Sequence, residues 1–278
     1  MSKSRCENMP KLLQAGRRDF HIHTNISPDG SKDSTLENIV KAAEALGMEE
    51  IGLTDHVNAY CEGALGFKSW GEFRDPGAHR QLCETIRAVK SRVRLYASWE
   101  VDYFDGGRYS FDPLRHLPML DYVLLGHHYI SHVENESPAF LADYLMRITM
   151  EMACEPYANI IAHPFYFPPP AQRHGAILSC LSDEHILEVF QSIKENGKAA
   201  EITPFQFNVE SRDVEQMKRV YALARTTGVK FTLDSDAHAI SDMLGGLRCL
   251  YVLAELGFTD DDFVDYQELI KLKNKKNA

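Results

Sequence analysis

The amino-acid sequence predicts an α/β barrel built from seven parallel strands. Short apolar runs alternate with segments of helical periodicity, and most of the seven apolar runs are followed by such a segment. Strands that alternate with helices form parallel βαβ units. The chain has 278 residues, a length at which barrels fold as one domain. Seven units in a chain of this size are typical of a barrel related to the eight-stranded type.

The strands are assigned to short apolar runs that end in polar or ionisable residues. They are residues 17–23, 51–56, 94–101, 122–128, 159–163, 199–203 and 230–236. Helices are predicted where apolar residues recur every three or four positions. They are residues 34–46, 75–89, 138–154, 183–195 and 211–227, and helical segments follow the last strand. Gly47, Gly197 and Gly228 act as helix stop signals, and Pro138 suits a first helical turn.

Composition and charge exclude several classes of protein. The 44% hydrophobic content argues against disorder. The net charge of −10 argues against binding to long nucleic acid, which would need a basic surface. No apolar run approaches the ~18 residues of a membrane span. The six cysteines form no CxxC pair and are interpreted as reduced thiols of a cytoplasmic protein. Residues 1–16 are interpreted as a loose leader and residues 17–278 as a single barrel domain, whose oligomeric state the sequence leaves open.

Nearly every predicted strand carries a histidine or carboxylate at or near its carboxyl end. These residues are His21, His23, His56, Glu100, His127, His128, His163, Glu201, Asp236 and His238, with Asp29 in a turn after the first strand. The carboxyl ends of parallel barrel strands converge on one mouth. Imidazole and carboxylate ligands suit Zn, Fe or Mn. Because the ligands are too many for one ion, the sequence predicts a multi-metal hydrolytic site at this mouth.

This prediction depends on the occurrence of histidines or carboxylates at the ends of several strands together, not on any one of them. A single histidine after a strand is more often structural than a ligand, but apolar strands have no packing need for terminal imidazoles. His21 and His23 share one face of their strand because side chains alternate with a period of two. His127 must point away from His128 if the strand is regular, and Glu201 could support a ligand or form an ion pair. The other histidines are assigned structural roles, except that His174 is left open.

Six motifs together resemble those of the PHP family, the polymerase and histidinol phosphatase metallo-hydrolases. They are DFHIHT (19–24), LTDH (53–56), WEVDY (99–103), DYVLLGHHY (121–129), IAHP (161–164) and SDAH (235–238). The resemblance implies a distorted (β/α)7 barrel with parallel strands and a trinuclear metal site at its C-terminal mouth. The WEVDY and GHHY runs look closest to the histidinol-phosphatase branch. The EIT stretch at 201–203 and Asp234 are less typical of that branch.

The resemblance also implies nine ligands for three divalent ions, which would be Zn, Fe or Mn. The ligands of the first ion would be His21, His23, Glu100 and Asp236. Those of the second would be Glu100, His128 and His163, with Glu100 bridging. Those of the third would be Asp29, His56 and His238. Glu100 and Asp236 are the residues expected to carry the catalytic role.

We therefore expect hydrolysis of a small phosphomonoester by a metal-activated water, as in a histidinol phosphatase. Arg173 and Arg212, in the loops after the fifth and sixth strands, are expected to bind the phosphoryl oxygens, because a guanidinium recognises phosphate with two donors. The aromatic-rich segment 60–73 either covers the substrate or forms a small satellite of the core.

Three alternatives compete with this interpretation. The same metals could cleave a nucleotide or another phosphodiester. A metal-binding protein with a relict site is a non-enzymatic alternative, although a relict would be expected to have lost ligands. A zinc amidohydrolase barrel also begins with H-x-H, but it would need a bridging lysine at a strand end, and Lys198 precedes its strand.

The role of Arg173 is directly testable. The substitution Arg173→Ala should raise the Michaelis constant for a phosphomonoester and leave the metal content intact, because the guanidinium binds substrate and no metal. Steady-state kinetics together with metal analysis check this. Unchanged kinetics would clear Arg173 of a phosphate-binding role.

Overall fold

The computed structural model describes residues 12, 14–56, 76–104, 106–110, 113–128, 133, 135–166, 174–207 and 214–276. One sheet holds all the strands of this part of the chain. The strands are β1 (Arg18–Ile22), β2 (Glu50–His56), β3 (Arg94–Phe104), β4 (Arg108–Tyr109), β5 (Tyr122–Gly126), β6 (Ile160–Ile161), β7 (Ala199–Ile202) and β8 (Lys230–Leu233). Seven are parallel, in the order β1-β2-β3-β5-β6-β7-β8, while β4 pairs antiparallel with the end of β3. The predicted parallel α/β barrel is confirmed.

Helices follow most of the strands. They are α1 (Leu36–Leu46), α2 (Pro76–Ala88), α3 (Pro113–His116), α4 (Pro138–Cys154), α5 (His174–Leu178), α6 (Asp183–Glu195), α7 (Val214–Thr226), α8 (Gly245–Glu255) and α9 (Tyr266–Lys276). Side chains of Thr35, Ser137 and Ser182 accept hydrogen bonds from the first free amides of α1, α4 and α6, which fixes where these helices begin. Gly47 ends α1 in the left-handed conformation that glycine adopts most easily. None of the described helices combines the length and the apolar character needed to cross a bilayer.

Several strands are shorter than the sequence predicts, and the reason lies in the backbone at the mouth. The segment predicted as 159–163 is hydrogen-bonded as a strand only over Ile160–Ile161, and the segment 230–236 ends at Leu233. His163 and Asp236 have positive φ angles of 25° and 51°. This conformation is costly for residues other than glycine and turns the chain out of the ladder. The strands therefore stop just before the residues that enter the mouth.

The barrel closes between β1 and β8 mainly through side chains. Backbone pairing is confined to the mouth, where the His23 amide donates to the Ala237 carbonyl at 2.9 Å. Deeper in the barrel, the Phe20 amide donates to Asp234 Oδ1 at 2.6 Å and the Ser235 amide donates to Asp19 Oδ1 at 3.1 Å. Two buried carboxyl groups thus satisfy amides that a regular ladder would pair. At this seam the barrel is distorted, because side-chain hydrogen bonds replace part of the backbone ladder.

Burial of these two carboxyl groups changes their protonation. It raises the pKa of Asp19 to about 7, although hydrogen bonds from Ser235 and His21 oppose the effect. The pKa of Asp234 lies well above its ordinary value because of burial and the neighbouring charges of Glu201 and Asp19. Burial at this seam therefore favours the protonated form of both carboxyl groups relative to an exposed aspartate.

A β-bulge in β1 sets the height of the first histidine. Asp19 pairs with Ile51 and Ile22 pairs with Leu53, so Phe20 and His21 together face the single residue Gly52. Phe20 packs on Tyr122 in the lower barrel, with ring centroids 5.8 Å apart, while His21 rises to the mouth. The Tyr122 hydroxyl donates to the Phe20 carbonyl at 2.5 Å and fills the space beside Gly52.

The core lies in layers around the sheet. Apolar residues inside the lower barrel form one cluster, and two further clusters lie between the sheet and the helices. The inner cluster contains Phe20, Tyr122, Leu124, Ile160, Ala162, Ala199, Val264 and Leu269. From the segment predicted as a loose leader, Leu12 and Ala15 are buried against the largest cluster, and Asp260 Oδ1 accepts hydrogen bonds from the Gln14 and Ala15 amides. The other leader residues before position 14 lie outside the described residues.

The close approach at Gly52 yields a stability prediction. A Cβ atom added there would lie 1.7 Å from the Tyr122 hydroxyl oxygen and 3.2 Å from the Phe20 carbonyl oxygen. Gly52→Ala should therefore lower the free energy of unfolding by about 1–3 kcal/mol, the usual cost of overpacking. Chemical denaturation measures the change.

A double-mutant cycle provides the control. In a Tyr122→Phe background the atom at 1.7 Å is gone, so the same glycine substitution should cost less. Equal losses in both backgrounds would show that the hydroxyl does not set the constraint at this position.

Candidate metal centre

Each of the seven parallel strands, or the loop that follows it, contributes at least one ionisable side chain to the mouth of the barrel. β1 supplies His21 and, one residue beyond its end, His23, while β2 ends at His56. Glu100 lies in β3, and His128 and His163 follow β5 and β6 within two residues. The loops beyond β1 and β8 supply Asp29, Asp236 and His238. The structure thus brings together all nine residues to which the family resemblance assigns ligand roles.

Four buried residues form the first group: His21, His23, Glu100 and Asp236. His21 Nε2 lies 3.0 Å from His23 Nε2, 3.0 Å from Glu100 Oε2 and 3.3 Å from Asp236 Oδ1. His23 Nε2 lies 3.1 Å from the same Asp236 oxygen and 3.5 Å from Glu100 Oε2. Ligands at ~2.0–2.1 Å from a tetrahedral ion stand ~3.3 Å apart, so these separations fit one small divalent cation.

The other Glu100 oxygen faces a second group. His163 Nε2 lies 3.0 Å and His128 Nε2 lies 3.2 Å from Glu100 Oε1, and the two nitrogens are 3.2 Å apart. His56 also approaches the carboxylate, with Nδ1 3.2 Å from Oε2. One carboxylate therefore has an oxygen directed at each of two groups of imidazoles, which is the arrangement a bridging ligand needs.

Asp29 is the centre of a third group. Its Oδ2 lies 3.0 Å from His238 Nε2 and 3.3 Å from His56 Nε2. His23 stacks on His238 with ring centroids 4.1 Å apart, and the four residues fall within one possible cation site. His56 thus presents one ring nitrogen to Asp29 and the other to Glu100. This group is the most exposed of the three, since Asp29 and His238 reach the surface.

The electrostatics of the mouth favour ionised carboxylates beside imidazoles. Burial alone would raise the pKa of Glu100, but His21, His56 and His128 lower it well below its usual range. Burial likewise opposes the charged form of His21, but the carboxylates of Glu201, Glu100 and Asp236 raise its pKa well above the ordinary value. For His23 burial prevails and lowers the pKa to about 3, so that this ring is neutral near pH 7 and offers a lone pair.

Two further carboxylates contact the Nδ1 atoms of His21 and His128, which point away from the three ligand groups. Glu201 Oε1 lies 2.6 Å from His21 Nδ1, and Asp102 Oδ1 lies 2.6 Å from His128 Nδ1. The contact of Glu201 with His21 fits both roles predicted for Glu201, support of a ligand and an ion pair. Asp102 was missed by the sequence reasoning, although its position two residues after Glu100 in β3 places it on the same face.

The structure separates the adjacent pair of histidines as the sequence predicts. His127 turns away from the mouth, with Nδ1 2.8 Å from the Tyr103 carbonyl oxygen and Nε2 2.9 Å from the Tyr144 hydroxyl. Arg173, Arg212 and the aromatic segment 60–73 lie outside the described residues. Their expected roles remain predictions.

Comparison with known families assigns the chain to one of them. The PHP domain family matches residues 19–205, a span that runs from β1 through β7 and contains seven of the nine clustered residues as well as Glu201. The chain belongs to the PHP domain family.

Individual proteins and solved structures are also similar to this chain. A protein of Acetivibrio thermocellus named "probable phosphatase" is 28% identical to this PHP protein over 239 residues, which cover 85% of each chain. The crystal structure of histidinol phosphate phosphatase from Lactococcus lactis, complexed with zinc, L-histidinol and phosphate, is similar with a TM-score of 0.60 and 15% identity, covering 89% of this chain and 98% of that one. A structure from Listeria monocytogenes, assigned there as a histidinol phosphatase, gives a TM-score of 0.62 at 16% identity and covers 81% and 97%. These two likenesses show a shared fold.

The contrast between neighbouring histidines provides a test of metal binding. His128→Ala should weaken Zn²⁺ binding by more than the ~10–100-fold that loss of a supporting residue typically costs, because it removes a side chain directed at Glu100. His127→Ala should leave the affinity within a few-fold of the parent protein. Competition with a chromophoric chelator measures both. If the two variants lose affinity equally, the groups described here do not bind the metal.

Proposed function

We propose that this PHP protein is a metal-dependent phosphatase that hydrolyses a small phosphomonoester by attack of an activated water, as histidinol phosphatases do. The observation that carries the proposal is the Glu100 carboxylate, whose two oxygens face two separate groups of buried imidazoles. Hydrolysis of phosphate esters is a typical reaction of sites where two or more divalent ions lie close together. The family assignment and the phosphatase name of the Acetivibrio relative support the same reaction class.

The donor set fits three divalent ions, for which Zn, Fe and Mn are the suitable metals. The first would be held by His21, His23, Glu100 and Asp236, the second by Glu100, His128 and His163, and the third by Asp29, His56 and His238. When bound, such ions lower the pKa of water and neutralise phosphoryl oxygens. Glu100 and Asp236 would carry the catalytic role by holding these charges in place.

The residues around the groups would bind and orient the ester. Arg173 and Arg212 are proposed to contact the phosphoryl oxygens from the loops after β6 and β7, where each guanidinium can donate two hydrogen bonds. Beside the second group, the Tyr166 ring lies 5.5 Å from that of His163 and 6.4 Å from that of Phe205. Phe205 is 47% exposed although it is aromatic. This aromatic pair at the mouth is suited to a flat organic group on the substrate.

A planar ring next to the phosphate is therefore the favoured substrate feature. Histidinol phosphate meets this requirement, and the Lactococcus neighbour was crystallised with L-histidinol and phosphate. A nucleotide also carries a flat ring and remains the second candidate on the same observation. A cytoplasmic location stays a prediction from the cysteine pattern; the four described cysteines are unpaired.

Phosphate release by the purified protein tests the activity and the substrate together. The protein, supplied with Mn²⁺, is assayed with histidinol phosphate, nucleoside monophosphates, 3′,5′-bisphosphates and an aryl phosphate, with Asp236→Ala as the inactive control. We expect release from histidinol phosphate that the control loses. Preference for a nucleotide would keep the reaction class and replace the substrate. Stoichiometric metal without release from any ester would contradict the proposal and favour a metal-binding protein.

Phe205 allows the aromatic contact to be tested with a matched control. Phe205→Ala should raise KM for an ester with a planar ring by about two- to tenfold, the range expected for a lost aromatic contact. It should leave KM for a small aliphatic phosphate unchanged. Phe140, equally exposed at 46% but located on α4, serves as the control, since Phe140→Ala should alter neither value. A uniform change for both esters would argue against a stacking role.

A further inference from the structure

We infer that Glu201 is the positioning residue that holds two histidines of the metal centre at once, one by its ring and the other by its backbone. The inference rests on the proposed metal site. Glu201 Oε1 lies 2.6 Å from His21 Nδ1, and Glu201 Oε2 accepts a hydrogen bond of 2.7 Å from the His163 amide. Glu201 is fully buried, so no solvent replaces either contact.

The first contact decides which nitrogen of His21 faces the metal. An ionised carboxylate can only accept hydrogen bonds, so the ring donates its Nδ1–H to Glu201. With Nδ1 protonated, the ring would bind a metal through Nε2, which points at Glu100 and Asp236. A carboxylate in this position also makes the imidazole a more basic ligand. Glu201 thereby selects both the tautomer and the orientation of His21.

The second contact holds a strained backbone. His163 has a φ of 25°, a conformation that costs of order 1–3 kcal/mol for a residue other than glycine. This turn is what brings His163 Nε2 to within 3.0 Å of Glu100 Oε1. The buried His163 amide would lack its acceptor if Glu201 Oε2 were removed, and such loss is costly. Glu201 therefore stabilises the conformation that delivers the second histidine.

Glu201 is itself held from outside the metal centre. It lies in β7, where its backbone pairs with Thr232 of β8. Its carbonyl oxygen accepts a hydrogen bond of 2.8 Å from the Tyr221 hydroxyl on α7. The carboxylate therefore projects from a strand held in place on both sides. Its hydrogen bonds to His21 and His163 restrict the positions of these two histidines in turn.

Only a carboxylate can serve both partners. Both are N–H donors, and a glutamine side chain has one acceptor oxygen and one NH₂ donor. In a Glu201→Gln variant, one donor would therefore face another donor in a buried space. Asp102 differs, because its carboxylate has one hydrogen-bond partner among the described residues, His128 Nδ1. An asparagine there keeps an oxygen for that contact.

This difference defines the experiment. Zn²⁺ affinity is measured by chelator competition, as a function of pH, for the parent protein, Glu201→Gln and Asp102→Asn, with the exposed Glu184→Gln as the control. We expect Glu201→Gln to weaken binding by about 10–100-fold, the range for residues that orient ligands, and Asp102→Asn to do so at least several-fold less. Glu184→Gln should match the parent. Equal losses in Glu201→Gln and Asp102→Asn would overturn the two-partner inference.

A spectroscopic measurement on the parent protein does not depend on whether a variant folds. In the Zn²⁺-loaded protein, ¹⁵N spectra of the histidine side chains should show His21 protonated at Nδ1 with Nε2 bound to metal. A His21 ring bound through Nδ1 would overturn the inference while leaving the metal site intact. If the parent protein bound no Zn²⁺ or Mn²⁺ at all, the proposed metal site and this inference would both be overturned.

Discussion

A single buried carboxylate, Glu100, imposes the main physical constraint on this molecule. Removing a charged group from water is expensive unless opposite charge and hydrogen-bond donors replace the solvent. Four histidine rings stand within about one hydrogen-bond length of its two oxygens: His21, His56, His128 and His163. These rings lie in four different strands or within two residues of their ends. The carboxylate can be stable in this position only if the strands meet in register around it.

The rest of the barrel is organised to meet that constraint. At the bulge in β1, Phe20 packs in the core while the adjacent His21 enters the metal centre. Carboxyl groups of Asp19 and Asp234 close the seam where the backbone ladder is interrupted. Among the described non-glycine residues, positive φ angles occur at His163, Phe165 and Asp236, of which the first and last direct their side chains at the mouth. The irregular features of the fold are therefore concentrated where side chains enter the site, while the packed lower barrel and the helices supply the stability that supports them.

Much of this architecture could be predicted from the sequence. Alternating apolar runs located all seven parallel strands, and α4 and α6 span the predicted residues 138–154 and 183–195. The convergence of the strand-end residues followed from barrel geometry, and so did the opposite orientations of His127 and His128. The ligand assignment itself came from the family resemblance, and it remains part of the proposal.

The remaining features depend on contacts between distant residues, which local patterns do not encode. Opposite the bulge, Gly52 leaves space that the Tyr122 hydroxyl enters from another strand. The closure by Asp19 and Asp234 depends on a pairing over more than 200 positions. β4 has two residues after a turn at Gly106 and Gly107, too few to show a periodicity. The double role of Glu201 required the backbone conformation of His163, which no side-chain motif indicates.

The proposed site requires that Glu100 bridge metal ions held by residues that the fold has already brought together. Anomalous diffraction from crystals grown with Zn²⁺ tests it most directly. We predict anomalous peaks on both sides of the Glu100 carboxylate, one among His21, His23 and Asp236 and one between His128 and His163. Peaks confined to other parts of the surface, with hydrogen-bonded imidazoles and no ion at Glu100, would contradict the account.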